Sequence, residues 1–161
     1  MKQIVPMLDS KYKYAVEVRH ESWFQEPAYN FFAENNICLV WSQLATIKTP
    51  PVVTSDFVYL RLIGDRSIDE KDFGRIQKDR SEEMQDWANK LKVVQQEGKQ
   101  VKLAIISANN HYAGFGPATV NLFRQMMDLP LVNWQDNKYD KVIRTDNTSI
   151  EPDQRSLSDY L

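Results

Sequence analysis

The sequence predicts an α/β protein in which parallel strands alternate with helices. Two observations lead to this fold class: short apolar segments of strand type recur along the chain, and segments with helical periodicity separate them. Helices between successive strands favour parallel pairing and a sheet covered by those helices. The predicted strands lie at about 14–20, 37–42, 57–63 and 101–108, and the predicted helices at about 27–35, 80–97 and 116–127.

The first strand has one apolar and one charged face. Two valines alternate with a glutamate and an arginine, which is the period-two pattern of a strand. A histidine, a serine and a tryptophan follow where the strand ends. Packing alone explains this order poorly, so the strand is predicted to carry functional groups. The residues concerned are Val16, Glu17, Val18, Arg19, His20, Ser22 and Trp23.

The remaining strands also lead into polar residues. The second contains the lone Cys38, and a buried structural thiol is predicted because the chain has no second cysteine. The third alternates so that Tyr59 and Arg61 share a face, and Gly64 follows them. The fourth ends in polar residues just before a helix, and both histidines of the chain therefore stand at strand ends. These residues are Asn109, Asn110 and His111.

The longest predicted helix, at about 80–97, is amphipathic. Ser81 can cap its start, acidic residues suit its first turn, and Gly98 ends it. Its apolar residues recur at helical spacing on one stripe, which assigns them to the core. They are Met84, Trp87, Leu91 and Val94.

Three segments together resemble the YecE-like family, a domain of unknown function (domain of unknown function 72) with a TIM-barrel fold. They are Glu17–Trp23, Tyr59–Gly64 and Asn109–Gly114, and the resemblance extends over roughly residues 12–128. One position departs from the family pattern, because Ile63 stands where the family usually has a histidine. The family's N-terminal half, with its glycine- and tryptophan-rich opening strand, has no counterpart in this sequence.

The resemblance implies a partial TIM (β/α) barrel, about its last four β/α units, with a flexible C-terminal tail. A complete barrel takes about 250 residues, whereas this chain has 161. Half a barrel leaves strand edges unpaired, and open edges invite association. We therefore expect a separate N-terminal half-barrel subunit, self-association of two copies, or a remnant of a larger protein. A compact monomer is not expected.

The resemblance also places the site at the carboxyl ends of the strands. Two inward arginines would form a planar clamp suited to phosphate or carboxylate. The glutamate between them would act as a general base or as their counter-ion. The candidate catalytic residues are Glu17, His20 and His111, and the candidate ligand-binding residues are Arg19, Trp23, Tyr59, Arg61, Asn109 and Asn110.

Structural roles are the alternatives for the same residues. Glu17 and the arginines can form a salt-bridge network, the histidines can cap strand ends, and the asparagines can hold turns. A divalent metal bound by the histidines with Glu17 or Asp65 stays open, but the chain has no HxH or HExxH pair, so no cofactor is assigned. Trp23 and Tyr112 can stack on a base or sugar, or can roof the barrel.

Composition restricts the class of protein. A net charge of -2 neither indicates nor excludes nucleic-acid binding, since a local basic mouth can bind phosphates on an acidic protein. The sequence contains no apolar run long enough to span a membrane, and its first residues lack the order of a secretion signal. A cytoplasmic protein is expected.

The last part of the chain differs from the rest. The expected division is a half-barrel domain at 1–133, a polar linker at 134–153 and a binding peptide at 154–161. The peptide resembles the box by which DNA replication and repair proteins bind the sliding clamp (PCNA). One helical turn would bring its apolar side chains onto one face. The matching residues are Gln154, Leu157, Tyr160 and Leu161, the last in place of the usual aromatic.

Three classes of function follow from these residues. The first is an enzyme that acts on a phosphorylated substrate, such as a nuclease-like phosphodiester hydrolase completed by the missing half-barrel. The second is a non-catalytic module that binds nucleic acid or protein. The third is an enzyme of sugar or sugar-phosphate chemistry, in which Glu17 and a histidine move protons. The clamp-binding box favours the first class and a role in DNA repair.

Overall fold

The computed structural model describes residues 3–97 and 101–133. The strands are β1 Tyr14–Val16, β2 Ile37–Leu39, β3 Trp41–Leu44, β4 Phe57–Gly64 and β5 Leu103–Ala108. The helices are α1 Glu26–Glu34, α2 Ser81–Gln96, α3 Asn110–Ala113 and α4 Gly116–Met126, with 3-10 turns at Val5–Met7, Glu21–Trp23 and Glu70–Asp72. All of these belong to one unit, Met1–Leu131. Of the second unit, Val132–Leu161, only residues 132 and 133 are described, so the predicted linker and clamp-binding peptide lie outside the described residues.

All the strand pairs are parallel, which confirms the predicted α/β class. β1 pairs with β2, and β4 lies between β3 and β5. Only Val40 separates β2 from β3, and its backbone N–H donates to the carbonyl of Val16 at 3.0 Å. One extended segment, 37–44, therefore lies between β1 and β4. Within the described residues the sheet stays open and does not close into a barrel.

The strand bounds differ from the prediction at two places. β1 ends at Val16, so the segment 17–20, which was predicted as strand, leaves the sheet. The predicted strand 37–42 is broken at Val40. Beside Ile37 and Leu39, Thr54 takes the place of a neighbouring strand. Its Oγ1 accepts from the N–H of Leu39 and donates to the carbonyl of Ile37, both at 2.8 Å.

Helices pack against one side of the sheet. Val58, Leu60 and Leu62 of β4 are buried against α2, α3 and α4. The predicted stripe on α2 is confirmed, since its four apolar residues all lie in this cluster. The ring of Trp87 stacks on that of Trp41 with centroids 5.9 Å apart.

A second apolar cluster joins α1 to β1 and β2. Phe32 of α1 packs with Ile37, Leu39 and Val18. Cys38 is buried as predicted, and desolvation raises the pKa of its thiol, so the structure supports an inert structural cysteine.

The start of α2 differs in detail from the prediction. Ser81 is its first helical residue rather than its cap, and the side chain of Asp79 accepts from the N–H of Ser81 at 2.9 Å. This hydrogen bond satisfies one of the N–H groups left free at a helix start. The helix ends at Gln96, and the predicted terminator Gly98 lies outside the described residues.

The crossover between β3 and β4, which is described over its whole length, contains no helix. The segment 51–56 runs there in extended form and borders an open groove of about 770 Å³ together with α1 and α2. None of the predicted site residues lines this groove, despite its size. The groove therefore does not locate the predicted site, whose position is given by the contacts of the predicted residues themselves.

Candidate functional site

Glu17 brings together the two arginines predicted to bind ligand. Its Oε2 accepts from Nη1 of Arg61 at 2.6 Å, and its Oε1 forms an ion pair with Nη2 of Arg19. Its side chain is only 11% exposed, whereas that of Arg19 is 60% exposed and that of Arg61 is 37% exposed. A largely buried carboxylate thus holds two guanidinium groups that still reach solvent.

The ion pair joins strands that are not neighbours. Glu17 directly follows β1, while Arg61 lies on β4, opposite Ser42 of the intervening segment. The strand ends of β1 and β4 are therefore connected by side chains as well as by the sheet. The resemblance implied that these three charged groups would meet, and the contacts bring them together.

Arg61 belongs to a side of β4 and β5 that the helices leave uncovered. Residues level with one another in neighbouring parallel strands point to the same side, and here Tyr59 pairs with Ile105 and Arg61 with Ser107. The predicted common face of Tyr59 and Arg61 is thereby confirmed, and Ser107 Oγ donates to the Tyr59 hydroxyl at 3.3 Å. We call this side the open face; its residues are Phe57, Tyr59, Arg61, Ile63, Leu103, Ile105 and Ser107, and of these Phe57 is buried.

His20 acts as a local cap. Its Nδ1 accepts from the N–H of Ser22 at 3.1 Å and lies 2.8 Å from that residue's Oγ, at the start of the turn Glu21–Trp23. An Nδ1 that accepts from a backbone N–H carries no proton, so the neutral ring is protonated on Nε2. Trp23 stacks on Phe32 with ring centroids 6.0 Å apart and packs against the α1 cluster. Both residues thus have structural roles.

The polar residues after β5 also bind backbone. The side chain of Asn109 caps α3 by accepting from the N–H of His111 at 3.2 Å. Asn110 Oδ1 accepts from the N–H of Gly116 at 2.8 Å, at the start of α4. The ring of His111 stands edge-on to Phe73 at 5.0 Å, and its Nδ1 is buried without a hydrogen-bond partner in the described part of the chain.

Sequence reasoning missed a charged cluster at the carboxyl ends of β3 and β4. Arg80 Nη2 donates to Asp65 at 3.3 Å, its Nη1 to Glu83 at 3.1 Å and its Nε to the carbonyl of Tyr112 at 3.2 Å. Lys78 also pairs with Asp65 at 3.0 Å, and the Tyr112 hydroxyl donates to Glu83 at 3.2 Å. The cluster borders a cavity of about 150 Å³, which Gln43, Leu44, Ala45 and Gly64 also line.

The ionisation of this cluster follows from its contacts. Hydrogen bonds from the hydroxyl and the N–H of Ser67, and then from Lys78, hold the pKa of Asp65 well below its usual range. Burial, followed by the negative charge of Glu83, raises the pKa of Tyr112 well above its ordinary value. The tyrosine therefore remains a neutral donor and Asp65 a carboxylate. Tyr112 is fully buried and does not offer its ring to a ligand.

One signal in the sequence could have found this cluster. Arg80 and Glu83 are spaced i,i+3 at the start of α2, where side chains lie on one helix face. Their meeting with Asp65 depends on the path of the loop 65–79, which no local pattern predicts. Within the described residues no group of three His, Cys, Asp or Glu side chains is placed to hold a metal ion. Nor does any described helix have the length and apolarity needed to cross a membrane.

A family model described as "Protein of unknown function DUF72" matches residues 1–140. The chain belongs to this family. That description gives a DUF72 protein no activity, and no curated protein matches the chain. The motifs that carried the resemblance in the sequence all lie within the matched residues.

Solved structures of other DUF72 proteins share this fold over part of their length. One from Thermotoga maritima has a TM-score of 0.54 and 25% identity, covering 73% of this chain and 46% of its own. Two structures of a protein from Enterococcus faecalis have TM-scores of 0.59 and 0.60 and identities of 20% and 21%. They cover 81% and 80% of this chain and 52% and 53% of their own. The chain spans about half the length of these relatives.

Gly64 gives the first prediction for this DUF72 protein. Its φ is +85°, and an added Cβ would collide with the backbone of His111 and Tyr112, so Gly64→Ala should cost roughly 2–4 kcal/mol in free energy of unfolding. Gly74→Ala is the matched control, because its φ is +103° but its Cβ would meet no described atom within 4 Å. That control should cost about 1 kcal/mol from backbone strain alone.

Urea denaturation of both variants gives the comparison. Equal losses of stability would mean that β4 and α3 do not approach as closely as described. The same result would also contradict the role of Gly64 as the residue whose missing side chain lets α3 lie against the end of β4.

Proposed function

We propose that this DUF72 protein binds a phosphorylated ligand, such as DNA, through Arg19 and Arg61. The observation that carries the proposal is the shared carboxylate of Glu17, which bonds Arg61 and forms an ion pair with Arg19 while leaving both guanidinium groups in contact with solvent. Two arginines and one glutamate leave the trio with one net positive charge. A phosphate oxygen that binds the exposed guanidinium N–H groups would displace water from them. It would not need to break an existing protein contact.

The geometry of Arg61 supports this use. Within the residues that the structure describes, its guanidinium donates only to Glu17, through Nη1. The remaining N–H groups of the planar fork are suited to two oxygens of one phosphate. The hydroxyls of Tyr59 and Ser107 lie on the same open face and would supply further donors.

Glu17 acts in this proposal as the counter-ion rather than as a general base. Its two carboxylate oxygens are already paired with Arg61 and Arg19, so neither is left to take a proton from a substrate. A nuclease-like hydrolysis of a phosphodiester would instead require a proton-transfer group such as His111, whose Nδ1 is uncommitted. We propose this activity only for the site completed by the rest of a barrel.

The fold proposed for the complete site is a TIM barrel. The four parallel strand positions would be its last four β/α units, with the remaining units supplied by a separate N-terminal half-barrel subunit or by self-association. The edges of β1 and β5, which pair with no further strand in the described part of the chain, support this arrangement.

The C-terminal peptide would recruit the protein to the sliding clamp. Gln154, Leu157, Tyr160 and Leu161 lie outside the described residues, so the support is their spacing in the sequence. We propose a division into a binding domain at 1–133, a linker at 134–153 and the clamp-binding peptide at 154–161. A tethered peptide would keep the anion-binding domain near DNA during replication or repair.

A non-catalytic nucleic-acid or protein-binding module is the second candidate. The specific observation in its favour is that the side chains of His20, Asn109 and Asn110 are engaged in backbone caps. These three side chains are then not available for proton transfer, whereas Arg19 and Arg61 remain available for ligand binding. Ile63 stands at the position of the family histidine. It also favours a binding module, because its side chain has no ionisable group.

The anion site formed by Arg19 and Arg61 is tested by measuring the affinity of the protein for labelled single-stranded oligodeoxynucleotide and for inorganic pyrophosphate. Arg61→Ala should weaken binding about 10-fold or more, since it removes a charge-assisted donor pair worth about 1.5–3 kcal/mol. Arg61→Lys should restore little of it because lysine lacks the fork. Lys71→Ala is the control for net charge, because Lys71 is 76% exposed and pairs with Asp69 rather than with the trio.

Fluorescence anisotropy and calorimetry at one fixed salt concentration measure these affinities. If Arg61→Ala and Lys71→Ala bind both probes as the unchanged protein does, the anion proposal is wrong. A loss for the oligonucleotide alone would restrict the site to nucleic acid and support the binding module.

The tail is tested with a synthetic peptide covering residues 150–161 and the sliding clamp of the same organism. We expect binding in the micromolar range, because three apolar side chains on one helical turn would fill an apolar pocket. The double substitution Leu157→Ala and Tyr160→Ala should abolish it, and a scrambled peptide is the control. If calorimetry detects no heat of binding at high peptide concentration, the proposed recruitment to the sliding clamp is wrong.

A further inference from the structure

A small polar cavity lies at the carboxyl ends of β3 and β4, and none of the residues of the anion site lines it. Its volume is about 150 Å³. Leu44 and Gly64, the last residues of β3 and β4, line it together with Glu83 from the first turn of α2. In α/β proteins, the crevice beyond the carboxyl ends of parallel strands is where ligands bind. The cavity occupies such a place.

Hydrogen bonds hold the charged groups of this cavity in position. Arg80 uses three of the five N–H groups of its guanidinium, which donate to Asp65, to Glu83 and to the carbonyl of Tyr112. The buried Tyr112 donates its hydroxyl to Glu83. The side chains of Arg80 and Glu83 are nevertheless partly exposed. Both groups are therefore oriented by the protein and accessible to a small molecule.

The lining also has hydrogen-bonding capacity that the described residues leave unused. Each oxygen of Glu83 accepts one hydrogen bond there, although a carboxylate oxygen can accept two. Gln43 accepts from the indole N–H of Trp87 at 3.0 Å, and because an indole nitrogen only donates, the accepting atom is Oε1. The amide nitrogen of Gln43 and two N–H groups of Arg80 are then left as donors.

The charges around the cavity cancel. Asp65 and Glu83 are negative, and they pair with the positive Lys78 and Arg80. A charged ligand would enter without a counter-ion, which is costly in a partly buried place. A neutral ligand with both donors and acceptors matches the unused groups. A hydroxyl group has both functions, because it can donate to a carboxylate and accept from a guanidinium at the same time.

We propose that this cavity binds neighbouring hydroxyl groups of a sugar or small polyol. Glu83 accepts from these hydroxyls, and Arg80 and the amide of Gln43 donate to them. The cavity holds only a few non-hydrogen atoms, since one water molecule takes about 30 Å³ in the liquid. Leu44 and Ala45 supply the apolar part of the lining, against which the carbon atoms of the ligand pack. The site is separate from the anion site and does not depend on it.

Saturation-transfer NMR with the full chain tests the proposal with erythritol and butanol as probes. Both have four carbon atoms, but only erythritol has neighbouring hydroxyls. Erythritol should bind with a dissociation constant in the millimolar range, as expected for so small a ligand, and butanol should give no comparable signal. Inorganic pyrophosphate should not compete with erythritol, because it lacks a place in a neutral cavity.

Two substitutions locate the binding. Glu83→Gln should weaken erythritol binding about 10-fold or more, because it removes the charged acceptor. Glu82→Gln is the matched control, since it makes the same change of charge in the same turn at an exposed residue, and it should bind as the unchanged protein does. Gln43→Glu should also weaken binding, because it keeps an oxygen for Trp87 and removes the amide donor. Urea denaturation shows that each variant is folded.

Three results would overturn the proposal. The first is the absence of saturation transfer to erythritol in the unchanged protein, and the second is equal transfer to butanol. The third is erythritol binding that survives both Glu83→Gln and Gln43→Glu, because the hydroxyls would then lie elsewhere. Competition by pyrophosphate would likewise contradict a cavity separate from the anion site.

Discussion

The carboxylate of Glu17 is the group on which the candidate site depends. It is largely buried, and a buried charge without a partner would cost several kcal/mol. Arg61 supplies that partner by a hydrogen bond to Oε2, and Arg19 supplies it by an ion pair with Oε1. Because Glu17 follows β1 and Arg61 lies on β4, the same contact ties together the two strand ends from which the site is built.

The two sides of the sheet carry different kinds of side chain. The helix-covered side carries the apolar core, with the stacked pair Trp41 and Trp87 at its centre. The open face carries the hydroxyls and the charged trio together with exposed Leu103 and Ile105. This face therefore places the candidate ligand-binding groups beside apolar side chains that reach solvent.

Much of the fold could be predicted from local pattern. Alternating strands and helices indicated the parallel sheet, and helical spacing indicated the buried stripe of α2. The common face of Tyr59 and Arg61 followed from the period of a strand. Local pattern failed where distant residues decide: Thr54 stands in for a neighbouring strand beside Ile37 and Leu39, and the loop after β4 brings Asp65 to Arg80. His20, Asn109 and Asn110 stood correctly at strand ends, yet their hydrogen bonds to backbone could not be read from their spacing.

A double-mutant cycle on Glu17 and Arg61 tests the central claim most directly. Glu17→Gln, Arg61→Gln and the double variant are compared by urea denaturation, beside a second cycle on Glu17 and Arg19. The account predicts a coupling of roughly 1–2 kcal/mol for Glu17 with Arg61 and less than about 1 kcal/mol for the more exposed Arg19. A coupling near zero between Glu17 and Arg61 would contradict the account, because the carboxylate would then not hold the arginine in place.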